Sequence, residues 1–334
     1  MSKLTVVPYT PDHAVRWDDF VLNHSANGTF LQSRRFLSYH PQGRFTDASV
    51  MVLEGQELVA AVPAAEQMID GQLWLRSHPG STFGGPVIAP ALLRAPKLVE
   101  MIEALDDCWV RRYAAAELKI TSDLFASLPT DALQYALYHA GYTDELEIAA
   151  YLPLCKPYDQ LRADYSFNKR YDLKKCEKAG YHDAPIPDEA GLSAFYDLLC
   201  LNLQKFDAKP VHTLSELQDF VFDRLAAECA VLGVYNDQNE LCAGAFLFFF
   251  AQTNVLHTQY LATHPAARGV STCLYDSVIR AALSRGCAKV SFGTSTHDRG
   301  RVLNTGLIQN KEGYGALHSL NRIYTRRYKK GGQA

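Results

Sequence analysis

A chain of 334 residues with 48% hydrophobic composition is long enough for two domains, each able to bury its own core. Its 33 basic and 36 acidic residues leave a formal charge of -3, which excludes a global field drawing it to nucleic acid or an anionic membrane, so any polyanion site must be local. The eight cysteines include no Cys-x-x-Cys pair and read as reduced core residues, which argues against a disulfide framework or a zinc site and predicts no metal.

The first ten residues lack the charged start, apolar stretch and small-residue cleavage site of an export signal. The most apolar window, Leu241 to Ala251, falls far short of the ~20 residues of a membrane-spanning helix. The expectation is a cytoplasmic protein without membrane insertion.

In chain order, residues 50–63 read as a β-hairpin with a tight turn around Gly55. The strand Leu73 to Pro79 follows and ends in His-Pro. It opens into Ser77-His-Pro-Gly-Ser-Thr-Phe-Gly-Gly-Pro86, a flexible, donor-rich loop. From about Pro96, a residue suited to the first helical position, to Arg112, Leu98, Met101, Ile102, Leu105 and Trp109 recur at helical intervals. The run Ala116 to Thr121 reads as a buried strand.

Phe167 to Gly180 is a basic helix with a glycine stop, carrying Lys169, Arg170, Lys174, Lys175 and Lys178. A solvated helix face and a phosphate-binding face both fit that pattern. A second helix spans Leu192 to Leu203.

The first plan then repeats. Residues 231–246 form a hairpin in which Glu240-Leu241 matches Glu57-Leu58 and Ala243-Gly244 matches Ala60-Ala61. Tyr260 to Pro265 ends in His-Pro like its counterpart. Ser271 to Arg285 places Leu274, Val278, Ala281 and Ala282 on one helix face, and Ala288 to Phe292 reads as a strand. Antiparallel strands, a helix and a strand thus occur twice, which predicts domains at residues 1–155 and 156–334.

The stretch from Ser291 to Gly315 then carries His297, Asp298, Arg299, Arg301, Asn304, Lys311 and Glu312 among Leu303, Leu307, Ile308 and Tyr314. It reads as a functional loop, because buried anchors mixed with concentrated polar groups suit a site better than a spacer.

The hairpin, Thr263-His-Pro-Ala-Ala-Arg-Gly-Val-Ser-Thr272, its helix and the strand Lys289-Val-Ser-Phe-Gly-Thr294 resemble the core of the GNAT acyltransferase superfamily. The duplication, the basic helix and the closing Leu303-Asn-Thr-Gly-Leu-Ile-Gln-Asn-Lys-Glu-Gly-Tyr-Gly-Ala316 resemble its FemAB-like branch. The best-known members of that branch move amino acids from aminoacyl-tRNA onto peptidoglycan precursors. The resemblance covers nearly the whole chain from Phe30-Leu-Gln-Ser33 onward. It implies an α/β (α+β) fold of two tandem GNAT-like domains, each a mixed, mostly antiparallel sheet flanked by helices.

The superfamily's acyl-CoA pattern is Gln or Arg, two residues, Gly, one residue, then Gly or Ala. Here Ala266 and Ser271 take the outer positions and only Gly269 is kept. The physical logic of such a loop is that the first amides of a helix lack intrahelical partners and, with the helix dipole, suit a pyrophosphate. Arg268, Gly269, Val270, Ser271 and Thr272 are therefore the expected cofactor-binding residues. An ordinary capped helix start would use the same Ser and Gly.

By the same resemblance the strand Asn254 to Thr263 holds the donor acyl group. His257 is a candidate base, with an unperturbed pKa near ~6.5. Tyr314 is a candidate proton donor to the leaving group. Lys311 is expected to contact a phosphate or orient the acyl group, with Glu312 as its partner. His78, Ser81, Phe83, Tyr260 and Asn304 complete the expected substrate contacts.

The implied activity is an N-acyltransferase that takes acyl-CoA, foremost acetyl-CoA, to an amine acceptor in the cleft between the two domains. The acceptor is a small molecule or a peptidoglycan-type precursor. An aminoacyltransferase using aminoacyl-tRNA is the enzyme alternative, less favoured because no coiled-coil arm is visible. A non-catalytic binding protein with a degenerate coenzyme loop is the alternative of another class.

Overall fold

The structure, a computed structural model, describes residues 4–204 and 207–328. The chain divides into two compact units. The first takes the chain up to Glu147, Asp298–Arg301 and the segment from Leu320 onward; the second takes Ile148–His297 and Val302–Ser319.

In the first unit the strands are Leu4–Pro8 (β1), Thr46–Asp47 (β2), Val50–Glu54 (β3), Glu57–Val62 (β4), Ala64–Ile69 (β5), Gln72–Ser77 (β6), Val87–Ile88 (β7) and Ala115–Lys119 (β8). Its helices of four residues or more are Ala14–Asn23 (α1), Arg34–Leu37 (α2), Ala95–Trp109 (α3) and Asp131–His139 (α4). The expected hairpin is β3 and β4, turning at Gly55 with φ +66°. The strand after it is broken at Pro63, which has no amide for a ladder. Thus β4 pairs in the order β1-β3-β4-β7, while β5 pairs antiparallel with β6. After α3 the chain returns as β8, parallel to β6 with Trp74 opposite Ala115.

The strand Thr143–Pro153 (β9) leads into the second unit. There α5 is Tyr158–Asp164, α6 Phe167–Lys178, α7 Glu189–Gln204 and α8 Leu214–Asp219. The strands are His182–Pro185 (β10), Cys229–Tyr235 (β11), Leu241–Phe250 (β12), Val255–Thr263 (β13) and Lys289–Thr294 (β14), with α9, Val270–Ser284, between the last two. Their order is β10-β11-β12-β13-β14-β9, antiparallel except for β13 and β14. This repeats the β5-β6-β8 plan, down to the parallel pair bridged by a helix. Val270, Leu274, Val278, Ile279 and Ala282 of α9 are wholly buried against this sheet. Full burial of one such aliphatic side chain contributes roughly 1.5 to 3 kcal/mol, so this one face anchors the helix firmly.

The segment expected to be one irregular loop is largely regular. Two short strands, Thr296–His297 (β15) and Val302–Leu303 (β16), pair antiparallel, and Thr305–Glu312 is a helix, α10. The physical reason is a cap: the Asn304 side chain accepts from the Leu307 amide at 3.0 Å and starts the helix. The last strand, Leu317–Arg327 (β17), pairs with β8 in the first unit, with Ile323 opposite Lys119. Each sheet is therefore closed by a strand from the end of the other sequence repeat: β17 for the first unit, and the end of β9, paired with β14, for the second.

No helix among the described residues is long and apolar enough to cross a membrane. Also among them, no group of His, Cys, Asp and Glu is placed to hold a metal ion.

Candidate active site

The second unit contains a fork in its sheet. The parallel ladder between β13 and β14 runs through Val255–Lys289, Leu256–Val290 and His257–Ser291 and stops there. The Thr258 hydroxyl donates to the Ser291 carbonyl at 3.3 Å and closes the last rung. Beyond it, β13 continues to Thr263 paired only with β12. The register across β12 shifts between Phe246, opposite Tyr260, and Leu247, opposite Thr258, so Gln259 is an extra, bulged residue. Amides of a strand point alternately to its two edges. The stretch after His257 therefore offers every second amide to the side that β14 has left.

His257 sits at the branch point. Its Nδ1 lies 3.0 Å from the Ser291 hydroxyl. Burial, helped by the Lys311 charge, lowers its pKa to about 4, so the ring is neutral at ordinary pH. Gly293, with φ +69°, runs past the ring; a Cβ there would stand 3.5 Å from His257 Cε1.

Lys311 lies inside the same cluster and is 2% exposed. Its ammonium donates to the carbonyls of Gly293 and Thr294 at 2.9 and 2.8 Å and to the Ser295 hydroxyl at 2.9 Å. Burial lowers its pKa to about 7. Three acceptors satisfy the charged form, and the neutral amine fits equally well, with two N–H groups on the carbonyls and its lone pair accepting from the Ser295 hydroxyl. Glu312, the expected partner of Lys311, instead pairs with His318 at 3.0 Å. The physical reason is that Lys311 points into the sheet fork while Glu312 stays on the surface. Asn304 is spent on the helix cap, with its amide on the Ser295 carbonyl at 2.8 Å.

The helix after the fork begins at Gly269, whose φ of +81° favours glycine and whose Cβ position opens on nothing within 4 Å. Arg268 and Gly269 are exposed, Ser271 is half-buried, and Val270 and Thr272 are buried in the helix base. The His-Pro motif builds the approach, since His264 Nδ1 accepts from the Ala266 amide at 3.3 Å.

Tyr314 is core: 1% exposed, stacked on Tyr275 at 5.1 Å and edge-on to Tyr165 at 5.2 Å, with the Lys169 ammonium 4.8 Å from its ring centroid. Its hydroxyl makes no hydrogen bond among the described residues, and burial pushes the phenol far above the ordinary tyrosine range. Thr272 lies near enough to oppose that rise without reaching bonding geometry. The structure thus brings His257 and Lys311 together, and separately Tyr314 with Thr272. Tyr260, on the free part of β13, bonds through its hydroxyl to His212 Nδ1 at 2.6 Å. His212 carried one sequence signal, the capping box Thr213 to Glu216 that fixes the residue before it.

In the first unit the His-Pro loop behaves differently. The Ser81 hydroxyl donates to the Phe83 carbonyl at 2.7 Å and the Leu31 carbonyl at 3.1 Å. Phe83 is 1% exposed and packs on Phe125. Both hold the loop together, and its glycines permit close approach: a Cβ at Gly80 would meet His40 at 1.9 Å. His78 alone of the three lines a cavity of about 510 Å³, stacked on His40 at 5.1 Å, and burial lowers its pKa to about 4.

Residues 167–299 match the family described as an acetyltransferase (GNAT) domain. The match, the fork and the helix start after it define the class of this unit: it is a GNAT-type acyltransferase domain. With the other unit built on the same plan, the chain has a tandem GNAT-like fold. Solved structures with this fold include FemX (14% identity, 96% of both chains, TM-score 0.67) and L-PGS from Bacillus licheniformis (11%, 96% of this chain and 92% of that one, 0.59). A tandem GNAT protein from the clavulanic acid biosynthesis pathway matches at 15% over 98% of this chain and 100% of that one, with a TM-score of 0.58. No curated protein matches.

Proposed function

We propose that the second unit transfers an acyl group from acyl-CoA to an amine. The observation that carries this is the fork that ends at His257–Ser291, followed directly by the open, glycine-started helix α9. An acyl thioester laid along β13 has its carbonyl oxygen on a free amide of that strand and its pyrophosphate at the start of α9, beside Arg268. The amine nitrogen attacks the carbonyl carbon, a C–N bond forms and the C–S bond breaks. The amine proton leaves through Lys311, whose pKa of about 7 suits a base at neutral pH, or through the neutral ring of His257, a weaker base, and the departing sulfur takes a proton. Tyr314 donates that proton in this reading, with Thr272 beside it.

The α6 surface favours a second reading. Phe167 and Tyr171 are 73% and 52% exposed with rings parallel within 8°, Lys175 lies 4.2 Å from the Tyr171 ring, and Lys174 and Lys178 are exposed. Stacking rings among cations suit an RNA-borne donor, as in an aminoacyl-tRNA.

Thermal-shift measurements with acetyl-CoA, longer acyl-CoAs and tRNA separate the two. Stabilisation by an acyl-CoA supports the first reading; stabilisation by tRNA alone replaces it with the second.

A further inference from the structure

We propose that the first unit holds a ligand site of its own, in which Arg34 receives an oxyanion, carboxylate or phosphate, on a molecule whose apolar or aromatic body lies against His78 and Phe45. The site is the 510 Å³ cavity that these three residues line.

Arg34 is 9% exposed, an unusual place for a guanidinium. Its carbon end lies 3.4 Å from the centroid of the Tyr9 ring and 4.2 Å from that of Trp17, so aromatic faces cover it. Nη1 donates to Asp47 Oδ2 at 2.6 Å. Nε and Nη2, by contrast, have no hydrogen-bond partner among the described residues. Those two nitrogens form the edge of the fork that accepts a carboxylate or phosphate in bidentate fashion. Buried donors without acceptors are costly, and a charged donor edge most of all.

The nearby carboxylates do not fill this edge. Asp47 is divided between Nη1 and the Ser49 amide, the latter at 2.8 Å. Asp18 accepts from the backbone amides of Arg34 and Arg35. They balance the Arg34 charge without satisfying Nε and Nη2.

The part of the wall formed by Phe45, His40 and His78 suits an uncharged body. Phe45 meets the His78 ring edge-on at 4.9 Å and the His40 ring edge-on at 4.8 Å. The Nδ1 atom of His78 is buried without a partner and marks one polar contact along this wall. A ligand with an acidic head and a planar body therefore meets complementary chemistry at both ends.

The site is independent of acyl transfer in the second unit and is tested by binding alone. Phenylacetate and phenyl phosphate serve as acidic probes and phenylacetamide as the neutral control, followed by the fluorescence of Trp17 beside Arg34 and by calorimetry. Saturable binding of an acid with Kd near ~1 mM or tighter, at least tenfold weaker for the amide, is the expected result; the stronger acid tells carboxylate from phosphate. Arg34→Gln should erase the preference for the acid, and Phe45→Ala should weaken acid and amide alike. If Arg34→Gln does not fold, the wild-type acid-to-amide ratio and the Phe45→Ala variant decide. Equal affinity for acid and amide, no saturation by either acid, or unchanged acid binding in folded Arg34→Gln overturns the proposal.

Discussion

His257 Nδ1 and the Ser291 hydroxyl stand 3.0 Å apart at the last rung shared by two parallel strands, so the point where the sheet opens is also the point where a neutral imidazole is held in place. In the proposed reaction, a base fixed at the mouth of the fork serves an amine attacking a donor laid along the free strand.

Replacing that imidazole tests its role. His257→Gln keeps a polar side chain near Ser291 but accepts no proton, and turnover should fall by ~10²-fold or more. Donor affinity should stay within about twofold. Steady-state rates beside calorimetric donor binding separate the two effects; unchanged turnover would remove His257 from the chemistry.

Lys311 gives a prediction in pH. Its folded pKa, near about 7, lies below that of the unfolded chain, near ~10.4. Between those values the unfolded state binds more protons, so this group adds stability as pH rises from about 7 toward ~10, and the added stability is absent below about pH 7. Lys311→Met should flatten that rise in urea midpoints. It should also remove the alkaline-favoured limb of the rate profile near pH 7. A mutant with the same pH slope as wild type would show that burial does not hold Lys311 down.

On the proposed reading, Arg268, exposed at the start of α9, meets the coenzyme phosphates. Arg268→Glu reverses charge there and should weaken acyl-CoA binding by about tenfold through the helix-start field, with the melting temperature nearly unchanged. Calorimetry in low and moderate salt checks this, since the difference should shrink as salt screens it.

Tyr260→Phe removes the hydroxyl that meets His212 at 2.6 Å. Leaving that imidazole nitrogen without its partner should cost roughly 1 kcal/mol in a urea unfolding series. No measurable loss would mean that water replaces the hydroxyl freely.

Much of this architecture was legible in the sequence because it rests on local signals. Gly55 marked its hairpin turn, the Leu274–Val278 face marked α9, and both His-Pro sites fell at strand ends as expected. What escaped depends on distant partners. Pro63 divides a strand whose halves join different sheets, and the exchange of β9 and β17 is a choice of neighbour that alternation alone does not encode. Lys311 reads from the sequence as a cation for a phosphate or the acyl group, with Glu312 as its partner. Only the fold shows it turned inward onto the Gly293 and Thr294 carbonyls. Arg34 escaped for the same reason, since its burial depends on Tyr9 and Trp17 arriving from other elements.

The most direct measurement is a calorimetric titration of acetyl-CoA into the wild-type protein and into Gly269→Val. At φ +81° a β-branched residue is strained, and its side chain enters the open space before the first turn of α9. One-to-one binding in the wild type that weakens at least tenfold in a folded Gly269→Val variant is the predicted result. No heat from any acyl-CoA, or equal affinity in the two proteins, would contradict a donor site at this fork.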